Sequence, residues 1–341
     1  MTSWVRRVSN LLSKDSSVRP TLPPDTATPS VLPAPPPVPD RRASVPLADL
    51  DGEVFAWMLD QLPATDHPAH PDETRWLAEL DALITADKGR GDLLPRAAGL
   101  IPQLLNSLRD ERQSAGELAQ RVSRDPNLVA EVTRLANSTA FRGHEPVTEL
   151  SDAVRRVGTG GLRQAIAKVV LKPMFGAQPG ALSSRASAHT WTHSQAQADL
   201  CRALAQERGM DPFEAYLGGL LFDIGWTAGW RALDQVFEKL PPPAGLAFGS
   251  GFRHTFQARR ERLFSQIVIG WKLSAPLHAA ARAVKAAGGF EQADDPLAQV
   301  LLAGNRLAAR RVLVSSGRVA EDPDQVAHWS PGVQAAYTAL A

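Results

Sequence analysis

The chain has 341 residues, enough for one large domain or two of medium size, and its 44% hydrophobic content fits a folded protein. Its 37 basic and 36 acidic residues balance to a net charge of +1, without the broad electropositive footprint of sequence-independent nucleic-acid binding. The single cysteine, Cys201, excludes an internal disulfide and a cysteine-rich zinc site.

Residues 1–16 pattern as a short amphipathic helix, with Trp4, Val5, Val8, Leu11 and Leu12 on one stripe. One reading is a docking or membrane-surface peptide. The preferred one is a frayed terminus, because so short a helix is marginal alone. Residues 17–47 read as a disordered proline-rich linker. Ten of the 27 prolines fall between Pro20 and Pro46, and proline fixes φ and removes the amide donor. Residues 48–93 read as an N-terminal helical extension, with helical patterns at Val54 to Leu62 and Glu73 to Ile84. Between them His67 and His70 sit in a proline-interrupted turn and are expected to be solvent-exposed loop residues, not metal ligands.

From residue 94 onward helix caps punctuate the sequence. Ser114 and Glu117 have the spacing of a capping box. Asp125-Pro126 places an N-cap before a proline at the first helical position, and Asp211-Pro212, Asp295-Pro296 and Ser330-Pro331 repeat the device. That second helix is expected to close at Asn137-Ser138, with Asn137 in the left-handed conformation or fastening the next loop by its side chain. Gly158 marks a helix stop between Val157 and a helix over 160–171. A long helix from about Ser183 to Arg208, stopped by Gly209, holds Cys201 beside Leu200 and Leu204 as a buried, inert thiol. Residues 240–256 contain three prolines and three glycines and predict a long loop covering a cleft or forming a partner surface. The arginine knots Arg259, Arg260, Arg262 and Arg310, Arg311 read as solvated helix faces paired with acidic neighbours. No alternating strands appear, so the fold class is all-α.

Two stretches carry a resemblance. The first, SRDPNLVAEVTRLANSTAF (Ser123 to Phe141), contains Asp125, Pro126, Asn137 and Ser138; the second, AYLGGLLFDIG (Ala215 to Gly225), is similar to the GLLHDIG signature of the HD superfamily. Together they resemble the HDOD family, HD-related domains of bacterial signalling proteins that generally lack hydrolase activity. The resemblance spans residues 94–290. Residues 291–341 are expected to add helices that complete or pack on its HD-like half.

HD phosphohydrolases hold divalent metals with a His, a His-Asp dyad and a later Asp, and the metal makes hydroxide available at neutral pH. Mapped here, His193 takes the first position and Asp223 the dyad Asp. Phe222 replaces the dyad His, and Asn305 stands near the late Asp. Gly225 closes the signature as a structural residue. His189 and His193 share a helical face, but the Glu that a zincin would place next to the first His is Thr190. The phrase Trp271 to Leu277 matches a family Trp-x-Leu-Pro element, yet the flanking histidines expected within QARRERLF and near Val284-Lys285-Ala286 are missing.

The resemblance therefore implies a non-catalytic regulatory module acting through a signalling protein partner, with no metal and no cofactor. A residual metal-dependent phosphohydrolase recruiting His189 or His254 is one alternative; a nucleotide-sensing module using the degenerate cleft is another. No apolar run long enough to span a bilayer and no cleavable signal peptide are evident, which makes the cytoplasm the expected location.

Overall fold

The computed structural model describes residues 50–61, 70–85, 93, 101–109, 114–138, 141, 145–176, 180–243 and 245–340. The readings for 1–16 and 17–47, and His67, lie outside them. Among the described residues all regular structure is helical, and none of the helices is long and apolar enough to cross a membrane.

Fourteen α-helices follow in order among the described residues. The first three are α1 (Leu50–Met58), α2 (Glu73–Thr85) and α3 (Ile101–Leu108). Next come α4 (Ala115–Ser123), α5 (Pro126–Ala136) and α6 (Leu150–Leu171), the last closed by a 3₁₀ turn, Lys172–Met174. The second half is built on α7 (Ala181–Glu207), α8 (Pro212–Phe222), α9 (Ile224–Lys239) and α10 (Ser250–Trp271). It ends with α11 (Ala275–Ala287), α12 (Pro296–Ser315), α13 (Pro323–Ala327) and α14 (Pro331–Thr338).

Local chemistry sets the boundaries as the sequence predicts. Ser114 accepts from the Glu117 amide while the Glu117 carboxylate accepts from the Ser114 amide, a reciprocal capping box. Asp125, Asp211 and Asp295 each accept amide hydrogen bonds of 2.8–2.9 Å ahead of an N1 proline, whose missing N–H costs nothing there. Asp322-Pro323 opens α13 in the same way. At Gly158, φ is +63° and ψ is −170°, which splits α6 into two helical stretches.

Asn137 departs from one expectation: it closes α5 with φ −95° and ψ −1°, not in the left-handed region. Its amide instead makes two 2.8 Å bonds with the backbone N–H and C=O of Val147, which pins the connection to α6. A side chain that satisfies both groups of a remote peptide makes the left-handed turn unnecessary. Ser138 donates to the Leu135 carbonyl at 2.7 Å.

The region read as a long loop over 240–256 is shorter. It ends at Gly249, and α10 starts at Ser250 despite Gly251. Phe248, Phe252 and Phe256 recur every four residues and are all buried, Phe248 just ahead of the helix and the other two on its inward face, so starting the helix early hides aromatic rings from water. The Glu73 carboxylate ties the loop's end to α2 by accepting from the Gly249 amide at 2.7 Å.

Helices α1 and α2, read as an extension, form a wall of the main core. Phe55 lies 5.0–6.3 Å from the rings of Trp226, Trp230, Phe248, Phe252 and Phe256. At the other end, α14 packs on α7 and α12 through Val333 and Tyr337 against Leu200 and Ala308.

Helices α7 and α9 are joined by a device with no sequence-local signature. The Asp234 carboxylate on α9 accepts from the amides of Leu182 and Ser183 at 2.9 Å each, capping α7 from 51 and 52 residues away. Within the first half, Lys168 of α6 bonds Glu131 of α5 at 3.1 Å, and Arg134 bonds the same carboxylate at 2.6 Å. Burial alone would raise Glu131, but Arg134 and Lys168 together outweigh it and hold the carboxyl below its ordinary value. Facing them, Asp199 and Tyr216 are pushed upward, chiefly by burial.

Candidate functional site

His193 projects from the middle of α7 and Asp223 sits at the joint between α8 and α9. Both are 0% exposed. His193 Nδ1 lies 2.6 Å from Asp223 Oδ2. The pairing depends on close helix packing. A Cβ added at Gly219 of α8 would stand 2.7 Å from the Ala198 Cα of α7, and one at Gly225 would stand 2.2 Å from the Arg260 carbonyl oxygen. Glycine at these positions lets α8 approach α7, and α9 approach α10, backbone to backbone. The Ser194 hydroxyl completes the seam by donating to the Leu220 carbonyl at 2.9 Å.

Phe222 does not face an open cleft. Its buried ring lies 4.6 Å from the ring of Phe290 and 5.8 Å from that of Phe264. The guanidinium carbon of Arg260 stands 4.6 Å above the Phe222 ring and 5.2 Å from that of Trp226. Arg260 is 1% exposed, which corrects its reading as part of a solvated face. It donates to Gln257 at 3.1 Å and to Glu261 at 3.5 Å, and two aromatic faces lie against its guanidinium. Arg310 and Arg311 are corrected likewise: both are buried on α12, near Glu321, with Arg311 5.2 Å from the Tyr337 ring. Arg259 does pair with an acid, Asp81 of α2, at 2.5 Å.

Asn305 is buried on α12, which packs against α7. Gln197 Nε2 donates to the Leu301 carbonyl at 3.2 Å, Cys201 Sγ to the Val300 carbonyl at 3.7 Å, and Gly304 abuts Cys201. Burial pushes the Cys201 thiol far up, in keeping with an inert core residue.

Three other histidines among the described residues lie elsewhere. His189 pairs with Asp60 at 2.7 Å beside Trp57, His254 is exposed on α10, and His70 stacks on Trp76 at 5.2 Å. Thr190 is buried and donates to the Ala186 carbonyl.

An HD-type metal needs imidazole and carboxylate donors from four positions, and two of them are absent from this arrangement. Among the described residues no three His, Cys, Asp or Glu side chains converge as a metal would require. His193 Nε2 and Asp223 Oδ1 are buried without a hydrogen-bond partner, yet two such atoms do not make a divalent site. The residues present do not fit the group.

Sequence reasoning placed Arg260 on the wrong face and passed over Asp234. A signal for Arg260 exists: it falls four residues after Phe256 and four before Phe264, on the apolar stripe of α10. Asp234 has no such signal, because its partners are a helix end distant in sequence.

The segment QARRERLF and the Val284-Lys285-Ala286 turn, where the expected histidines are missing, meet across a cavity of about 630 Å³ between α2, α10 and α11. Asp81, Arg259, Glu261, Arg262, Gln266 and Lys285 are among its lining. Burial raises the Glu261 carboxyl above its ordinary value, against the opposing charge of Arg260.

The family model described as "HDOD domain" matches residues 94–287. Among solved structures, the chain is similar to a "Putative metal-dependent phosphohydrolase" from Shewanella amazonensis SB2B, at 14% identity and a TM-score of 0.54, covering 80% of this chain and 98% of that one. An HDOD domain protein with unknown function from Geobacter sulfurreducens aligns at 20% identity and a TM-score of 0.49, over 77% of this chain and 89% of that one. A "Putative phosphohydrolase" from Shewanella amazonensis SB2B aligns at 21% identity and a TM-score of 0.45, over 78% and 98%. At these identities the likeness is one of fold. No curated protein matches the chain significantly.

Proposed function

The chain belongs to the HDOD family, and from that premise we propose that it is a non-catalytic regulatory module that works through contact with a signalling protein partner. One observation carries the reading: the surviving HD residues are spent on each other. His193 and Asp223 are fully buried and bonded at 2.6 Å, and the dyad position beside them is an aromatic ring under a guanidinium. Chemistry of the HD kind needs a metal to lower the pKa of a bound water and an open coordination position to hold it. A sealed pair with a phenyl neighbour supplies neither ligand number nor access. What such a scaffold retains is shape, and a rigid all-α body with well-fixed helix ends presents a constant surface to a partner.

The test is metal content of the full chain purified without chelator, followed by calorimetric titration of manganese into the metal-free protein. The expected result is no stoichiometric metal and no binding heat. Stoichiometric metal that disappears in His193→Ala or Asp223→Ala overturns the reading and calls for a phosphoester hydrolysis assay.

A further inference from the structure

We propose that the cavity between α2, α10 and α11 binds a phosphorylated small molecule of mononucleotide size. At about 630 Å³ it lies within the range of small-molecule sites, roughly 300–1,000 Å³. It is separate from the His193–Asp223 pair, and its lining divides by charge in a way that selects the ligand.

Five charged side chains line it: Asp81, Arg259, Glu261, Arg262 and Lys285. Asp81 and Arg259 neutralise each other through two hydrogen bonds, at 2.5 and 3.1 Å. Glu261 is engaged by the Phe290 amide at 3.0 Å and by Arg260 at 3.5 Å. Arg262 and Lys285 remain. Neither has a carboxylate partner among the described residues, and Arg262 reaches only the Thr85 hydroxyl, at 3.4 Å. They approach from different walls, one on α10 and one on α11, and both are exposed to incoming solute.

A planar guanidinium and a mobile ammonium converging on one space suit a phosphate group, with Arg262 forking onto two oxygens and Lys285 acting as a point charge. The remaining polar wall has the opposite character. Gln266 Oε1 is buried without a partner, so this side offers an acceptor to a ligand carrying an N–H or O–H group. An anionic end and a donor-bearing end, within this volume, describe a nucleoside monophosphate better than an inorganic ion.

The experiment titrates the four nucleoside 5′-monophosphates and inorganic phosphate separately into the full chain by calorimetry. Expected is saturable binding of at least one nucleotide, tighter than phosphate and weakened by added salt. Arg262→Gln and Lys285→Gln should each weaken it by about tenfold or more, since each removes a charge-assisted contact. Both side chains are exposed, so the variants should fold, which far-ultraviolet circular dichroism checks. Arg155→Gln, on the exposed pair with Asp152 of α6, should bind as the parent does. Failure of every nucleotide to bind, binding no tighter than phosphate, or equal affinity in the Arg262 and Lys285 variants overturns the proposal.

Discussion

Arg260 and Arg262 are two residues apart on α10 and live in different media. Two residues turn a helix by about 200°, so one guanidinium faces the aromatic core and the other the cavity. Arg260 lies against Phe222 and Trp226 with almost no exposure; Arg262 stands open, with a hydroxyl as its only described hydrogen-bond partner. The contrast separates what this scaffold has closed from what it has kept available. Around Phe222 and the His193–Asp223 pair, polar atoms are buried against helix seams, and a change there should register as lost stability. Around the cavity, charge faces solvent, and a change should register as altered binding while the fold persists.

The largest effect expected on the closed side is at Phe222. Phe222→Ala removes a fully buried ring from contact with Phe264, Phe290 and Arg260, and should cost about 3–5 kcal/mol in urea unfolding. A loss below about 1 kcal/mol would mean that the position is not sealed core.

The buried pair comes next. A double-mutant cycle on His193→Ala and Asp223→Ala should yield a coupling energy of roughly 1–3 kcal/mol, because each single change strands a buried polar partner. Additive single effects would dissolve the pair as an energetic unit.

Glu261 gives the smallest effect and the sharpest test of the cavity wall. Burial raises its folded pKa, so above the unfolded value of about 4.3 the folded state holds more protons than the unfolded chain. Stability from this group is therefore lost as pH rises from there through the higher folded pKa. Glu261→Gln keeps an acceptor for the Phe290 amide and removes the titration. Its stability relative to the parent should increase across that acidic window and level off above it. A difference that does not vary with pH would place the carboxyl in effective contact with water.

Much of the molecule is written locally. Helix starts follow from Asp-Pro and Ser-Pro pairs, and the capping box at Ser114 and Glu117 needs only its own four residues. The apolar periodicity within each segment and the want of alternating patterns suffice for an all-α fold. The replacement of the dyad His by Phe222 is legible by itself, since a phenyl ring has no lone pair to give a metal. Composition misled at 240–256, where glycine and proline counts outweighed a four-residue aromatic stripe that only burial against α1 and α9 makes decisive.

The tertiary structure alone decided the rest. It closed Asn137 on Val147, capped α7 with Asp234, drew Arg260 against the aromatic rings and brought Gly304 of α12 onto Cys201 of α7. The physical reason is common to all four. Caps and periodicity are interactions between residues a few positions apart, so a sequence window contains both partners. Register between helices, and the burial of a charge between them, depends on residues dozens or hundreds of positions apart, whose meeting is settled only when the core packs.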